Sequence, residues 1–202
     1  MARTAAVPEA IARHLACLPI GCVQLRAKGE DEGSALAFMA SWSAALRTHA
    51  PHIRVVVNDR VDWVVRLGAD GVHVGQEDAA VAVCRAQLTP GQCIGLSTHT
   101  LDEIRLAEQV GVEYVGFGPI FATGTKSDVR AEQGVAQLAA IVSQTRLPVV
   151  AIGGITLERL PVVAQTGVAA AAMISALWQP DWMGRLEQAC RIWQESSIKR
   201  NH

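Results

Sequence analysis

No block of basic residues occurs anywhere in the chain, and charge is sparse. Eighteen Lys and Arg stand against 19 Asp and Glu, leaving a net charge of −1, and only 18% of the 202 residues are charged. That balance weighs against nucleic acid and against anionic membrane as partners. No apolar run is long enough to span a bilayer, and the start, Met1-Ala2-Arg3-Thr4, lacks the apolar stretch of a signal peptide. No cysteine pair has CxxC spacing. The five cysteines, Cys17, Cys22, Cys84, Cys93 and Cys190, form no framework, which predicts reduced thiols serving as small apolar fillers in a cytoplasmic protein. No low-complexity segment or linker divides the chain, so one domain over residues 1–202 is expected. What is present is apolar: half of the residues are hydrophobic, enough for one large core.

Strand-like runs alternate with helix-like ones. The first set covers 21–25, 53–57, 71–74, 93–96, 114–117, 148–152 and 169–174. These runs are short, rich in β-branched or small residues, and lack polar alternation, as strands buried on both faces do. Helical patterns fill 34–48, 60–67, 79–88, 101–109, 135–145 and 157–166, with a final helix from about Asp181 to Gln194 and a frayed tail over 195–202. Trp182, Leu186 and Trp193 in the final helix read as packing anchors. Gly68, Gly111 and Gly167 fit helix C-caps. Thr100 and Thr156 stand at N-cap positions, and Thr100 has Glu103 three residues on, a capping box. A first helix starts near Pro8, a good first-turn residue.

Nearly every strand-like run is followed at once by a polar motif. In order these are Gln24-Leu25-Arg26-Ala27-Lys28, Asn58-Asp59, Gly75-Gln76-Glu77-Asp78, Ser97-Thr98-His99, Thr123-Gly124-Thr125-Lys126, Gly153-Gly154-Ile155 and Ile174-Ser175. An open doubly wound sheet gathers its ligands at one switch point. Decoration of almost every strand end fits instead the ring of loops at one face of a (β/α)8 TIM barrel, for which about 200 residues is the low end. Asp59 and Asp78 end neighbouring strands. Two carboxylates in one mouth repel unless a cation or proton lies between them, and hard oxygen ligands favour magnesium, Mg2+. Turn or capping aspartates are the plain alternative. It loses ground because Arg26, Lys28 and Lys126 stand on the same rim and would complete a magnesium–diphosphate site. A second anion site is expected where Gly153-Gly154 leads into a helix and Ile174-Ser175 ends the next strand. The charged stretch 128–134 reads as a mobile loop over the site.

These motifs together, with Gly71-Val72-His73-Val74-Gly75-Gln76-Glu77-Asp78 and Thr123-Gly124-Thr125-Lys126 the most specific, resemble the thiamine-phosphate synthase family over residues 8–177. The resemblance implies a transferase of thiamine biosynthesis. Its members join 4-amino-2-methyl-5-(diphosphooxymethyl)pyrimidine to a carboxylated thiazole phosphate, giving thiamine phosphate, diphosphate and CO2. By the same resemblance, Gln24, Leu25, Arg26, Ala27, Lys28, Asn58, Ser97 and Lys126 hold the pyrimidine diphosphate. Arg26, Lys28, Ser97 and Lys126 act in the chemistry. Asp59 and Asp78 bind magnesium, and Thr123, Gly124, Thr125, Gly154, Ile174 and Ser175 hold the thiazole phosphate. The implied mechanism is dissociative: diphosphate leaves, a pyrimidinylmethyl cation forms, and the thiazole nitrogen captures it. No protein nucleophile is needed, so His73 and His99 need not be catalytic, and His73 reads as a packing or hydrogen-bonding residue.

The family often has Pro where Ala122 stands, and it begins with a strand before the first helix. Here residues 1–7 show no convincing strand, so the fold expected is a TIM barrel lacking its first strand, with seven strands countable. A native product starting upstream of Met1, or another segment filling the gap, is the expectation; residues 2–7 entering the gap as a poor substitute strand is the plain alternative. Uncovered strand edges invite association, so a homo-oligomer is expected as well. Two other readings stay open. One is a thiazole tautomerase-like isomerase, opposed by Pro119 after Gly118 and by the intact Thr125-Lys126. The other is a non-catalytic barrel that binds thiamine precursors or a protein partner.

Overall fold

The computed structural model describes residues 8–27, 30–123, 131–177 and 179–200. The elements alternate as expected: α1 (Pro8–Leu15), β1 (Cys22–Leu25), α2 (Glu32–His49), β2 (Arg54–Asn58), α3 (Val61–Leu67), β3 (Gly71–Val74), α4 (Val81–Gln87), β4 (Cys93–Thr98), α5 (Leu101–Val110), β5 (Tyr114–Phe117), α6 (Gly134–Gln144), β6 (Val149–Ala151), α7 (Leu160–Ala164), β7 (Ala170–Ala171) and α8 (Trp182–Arg200). Among the described residues, seven strands follow sheet order β1 to β7 without a reversal. A doubly wound sheet reverses its order at a switch point; sequential parallel strands joined by helices are the topology of the TIM-barrel class. The substitute strand considered for residues 2–7 lies outside the described residues.

By compactness the chain divides into two units, Met1–Ile94 and Gly95–His202. In the first, β1 pairs with β2 and β2 with β3, all parallel, with Gln24 opposite Val56 and Asn58 opposite His73. Val55, Val56, Val57, Val72 and Val74 are buried. This explains why these strands carry no polar alternation: both of their faces are covered. Helix α1 packs on α2, and α2 on α3. Asp31 caps α2, its side chain accepting from the Ser34 N–H at 2.9 Å. Helix α3 ends at Gly68 in a left-handed conformation, and its last carbonyls are met from α2. Arg47 donates to the Leu67 and Gly68 carbonyls, and the buried Ser43 hydroxyl donates to Leu67 at 2.7 Å. A Cβ on Gly68 would run into the Arg47 guanidinium.

In the second unit, β4 (from Gly95 on), β5, β6 and β7 pair in parallel over a core of Leu96, Val115, Phe117, Leu138, Ile141, Val149 and Ala151. Thr100 caps α5 as expected: its side chain accepts from the Glu103 N–H, while Glu103 accepts from the His99 N–H. Gly111 closes α5 in a left-handed conformation. Three elements differ from expectation. Strand β7 has only two residues, because the alanine-rich stretch offers few of the β-branched side chains that favour strands. Helix α7 starts at Leu160, beyond a turn at 157–159, so its N-cap is Arg159, without a side-chain bond, and not Thr156; its C-cap is Gln165, with Gly167 left-handed further on. Helix α8 runs to Arg200 and buries Ser196 to 7% exposure, where the sequence predicts a helix ending near Gln194 and a frayed tail. Trp182, Leu186 and Trp193 all lie on α8, half-buried.

Candidate active-site residues in the two units

The first unit places its polar motifs at the C-terminal ends of β1, β2 and β3, where parallel strands leave their last backbone groups to the following loops. Gln24 is exposed. Leu25 is a core residue at 7% exposure, so only its backbone is available to a ligand. Arg26 donates from Nη1 to Asn58 Oδ1 at 2.8 Å, which joins the ends of β1 and β2. Ala27, Asn58 and Asp59 line one cleft with Glu30, Glu32, Met39, Arg60 and Trp63. Lys28 lies outside the described residues.

Asp59 has φ 61°, the only positive φ of a non-glycine among the described residues. Its N–H donates to the His73 carbonyl and the Arg60 N–H to the Asn58 carbonyl, each at 2.8 Å. The second bond closes a γ-turn around Asp59. Left-handed backbone at a residue with a side chain costs free energy and persists where its surroundings enforce it. The turn breaks the strand alternation at Asp59, which lines the cleft. His73 is buried opposite Asn58 and serves this turn through its carbonyl.

Asp78 is held by its own turn: Oδ2 accepts from the Gly75 N–H at 2.7 Å. No group of three or more His, Cys, Asp or Glu able to hold a metal occurs among the described residues. A cation bound by Asp59 and Asp78 would therefore draw its remaining ligands from water or substrate. Magnesium usually takes one or two carboxylates and completes its shell with water and phosphate oxygens; of the two aspartates, Asp59 lines the cleft and Asp78 is not among its lining residues.

Nothing in the sequence singles out Arg60 or Trp63 individually, although Arg60 directly follows Asn58-Asp59. Arg60 is held by two carboxylates. It donates to Asp62 at 2.9 and 2.6 Å and to Glu32 at 3.1 Å. The Asp62 bond, ahead of that to Glu32, raises its pKa above the usual guanidinium value, and Arg60 in turn holds the Asp62 carboxyl below the ordinary range. Its guanidinium lies 4.3 Å from the centre of the Trp63 ring. Trp63 is 3% exposed, and its Nε1–H has no partner among the described residues.

In the second unit Ser97 is buried near the end of β4, opposite Gly116. The His99 ring bonds the Gly118 carbonyl through Nδ1. Thr123 is half-buried; Gly124, Thr125 and Lys126 lie outside the described residues, as does 128–130 of the loop expected over the site. Gly153 and Gly154 have φ 89° and 65°. A Cβ on Gly154 would stand 2.5 Å from the Ala122 carbonyl oxygen and 2.7 Å from that of Phe121, so both backbone and space demand glycine there. Gly154 is thus packed on the segment that leads to Thr123. The turn at 157–159 separates it from α7, so the helix does not start directly after the glycines. Ile174 and Ser175 lie in a turn beyond β7 and do not end the strand; Ile174 is 53% exposed.

Residues 2–177 match the family model described as thiamine monophosphate synthase. The thiamine-phosphate synthase of Latilactobacillus sakei subsp. sakei is 38% identical over 188 residues, covering 91% of this chain and 83% of that protein. That of Lysinibacillus sphaericus is 40% identical over 181 residues, covering 88% and 83%. Among solved structures, thiamine phosphate pyrophosphorylase from Pyrococcus furiosus aligns with a TM-score of 0.82 and 30% identity, over 94% of this chain and 90% of that one. A 3-hexulose-6-phosphate synthase from Salmonella typhimurium, at TM-score 0.61 and 16% identity, shares the fold alone. The polar strand ends and these alignments lead to one conclusion: the chain belongs to the thiamine monophosphate synthase family.

Proposed function

We propose that this chain is a transferase that makes thiamine phosphate from 4-amino-2-methyl-5-(diphosphooxymethyl)pyrimidine and a carboxylated thiazole phosphate, releasing diphosphate and CO2. The observation that carries the reading, beside the family, is the joined end of β1 and β2. There Arg26 is fixed by Asn58, and Asn58 and Asp59 line one cleft. Such a group can meet a diphosphate with a cation and a carboxylate already in place.

The difficult step is loss of diphosphate from the pyrimidine methylene carbon. Negative charge grows on the leaving oxygens, and a preorganised cation in a partly dry site stabilises it more than water does. Arg26 is preorganised in this sense, since its bond to Asn58 holds the guanidinium before substrate arrives. Lys28 and Lys126 add positive charge in the same reading, and Ser97 with Gln24 to Lys28 holds the pyrimidine. Magnesium held by Asp59 and Asp78 supplies, when bound, further charge stabilisation on the diphosphate. Thr123, Gly124, Thr125, Gly154, Ile174 and Ser175 hold the thiazole phosphate, so that the nucleophilic nitrogen is in place before the pyrimidinylmethyl cation meets water.

Residence in the cytoplasm is supported by five free thiols, and self-association into a homo-oligomer belongs to the same proposal. The deciding experiment mixes purified protein, both substrates and magnesium, and follows thiamine phosphate and diphosphate together. Equal release of the two supports the reading. Absence of both with folded protein overturns it.

A further inference from the structure

Resting on that reading, we propose that Arg159 is a positioning residue for the phosphate of the thiazole substrate, acting through the peptide that follows Gly154. Arg159 donates from Nη1 to the Gly154 carbonyl at 2.8 Å. Its guanidinium also lies 4.5 Å from the centre of the Phe121 ring, a distance at which a cation is drawn to the aromatic face. A trans peptide is planar, with its C=O and N–H pointing in opposite directions. Fixing the Gly154 carbonyl on Arg159 therefore fixes the Ile155 N–H facing away from Arg159.

That N–H is an available donor. Among the described residues, none accepts from the N–H groups of Gly153, Gly154 or Ile155. Ile155 is nevertheless a buried residue, and buried backbone donors are nearly always paired. A phosphate oxygen would supply the missing acceptor.

Arg159 also ties together two segments that the reading assigns to one ligand. Phe121 donates its N–H to the Gly153 carbonyl at 3.2 Å and leads through Ala122 to Thr123. The bare Cα of Gly154 is what lets the Phe121 and Ala122 carbonyls approach. The guanidinium spans both: one hydrogen bond reaches the glycine turn, and its carbon lies over the Phe121 ring. Its charge is spent on holding the turn, so its effect on the substrate is indirect.

Two measurements test this, one of them independent of turnover. In the unmodified protein, inorganic phosphate should shift the backbone amide resonances of Gly154 and Ile155. Arg159→Ala should raise the phosphate concentration needed about tenfold, the effect of losing one charge-assisted hydrogen bond. Arg159→Lys, which keeps a cation and a donor, should recover most of it, and Phe121→Leu should fall between. In turnover, Arg159→Ala should raise KM for the thiazole phosphate about tenfold, with KM for the pyrimidine diphosphate and the melting temperature unchanged. Amides that do not respond to phosphate in the unmodified protein would overturn the proposal even if thiamine phosphate is made. So would an Arg159→Ala variant whose two KM values rise together or do not rise at all. A protein that makes no thiamine phosphate but shows the Arg159-dependent phosphate response would overturn the enzymatic reading and leave the positioning role standing.

Discussion

Asp59 joins two demands at one residue, a carboxylate for the ligand and a left-handed backbone for the turn. Glycine satisfies only the second, alanine neither. Asp59→Gly and Asp59→Ala should both lose synthesis, but urea unfolding should find the alanine variant less stable than the glycine variant by about 1–2 kcal/mol. Asp78→Ala and a chelator should suppress turnover as well, and undiminished turnover in EDTA would defeat the magnesium assignment. Asp59 shows how far single residues can be read. A carboxylate just after a run of valines is visible in sequence as a strand-end group. Its backbone is not, since Asn58-Asp59-Arg60 contains no glycine to announce a positive φ, and the carbonyl that accepts from the Asp59 N–H belongs to His73 on the next strand. The role of Arg159 was hidden for a similar reason: its partners, Gly154 and Phe121, become neighbours only through the packing of two loops.

Among the elements, α5 was legible because its signals are local. Thr100 and Glu103 cap its start and Gly111 its end, each within one turn of the helix. Thr100→Ala should cost about 1 kcal/mol in urea unfolding, the usual loss for a hydroxyl N-cap. Thr156 precedes a turn instead of a helix, and nothing local separates the two cases. The sequence reads α8 too short because Ser196 looks like the start of a polar tail, whereas the fold buries it. Helix α5 is also anchored at its far end by a titrating group. Glu108 accepts from the Thr145 hydroxyl at 2.6 Å and from the Arg146 N–H at 3.0 Å. The Thr145 bond first, then the Arg146 bond, hold its carboxyl below the ordinary glutamate range. A lowered folded-state pKa means that the stability it contributes is complete above the unfolded-state value and disappears as pH falls through the folded-state one. The unfolding free energies of the parent and Glu108→Gln should thus differ most near neutrality and converge on acidification. A difference that widened in acid would contradict the assignment.

For the molecule as a whole, the alternation of elements and the sequential strand order were readable from apolar runs punctuated by glycine and polar motifs, because parallel strands buried on both faces leave that pattern. The lengths of β7 and α7 were not: the alanine-rich run at β7 has few β-branched side chains to extend a strand, and α7 begins only at Leu160, with Pro161 in its first turn. The enzymatic reading gives the chain two anion-binding tasks, and kinetics can separate them. Lys126→Ala should lower kcat, because its charge acts on the departing diphosphate. Gly154→Ala, strained at φ 65° and crowded by the Phe121 and Ala122 carbonyls, should chiefly raise KM for the thiazole phosphate. Steady-state rates with each substrate varied in turn decide it; two variants that alter the parameters of one substrate alone would show the division of labour to be wrong.

Trp63 carries a consequence of another kind. Its indole is shut away from solvent, lies beneath the Arg60 guanidinium, and borders the cleft that holds Asn58 and Asp59. Indole emission is sensitive to nearby charge and to whether its N–H is bonded. The protein therefore contains its own optical gauge of cleft occupancy: with the other tryptophans replaced by phenylalanine, the colour and intensity of Trp63 fluorescence would follow filling of the cleft in real time, without a label and before any product has formed.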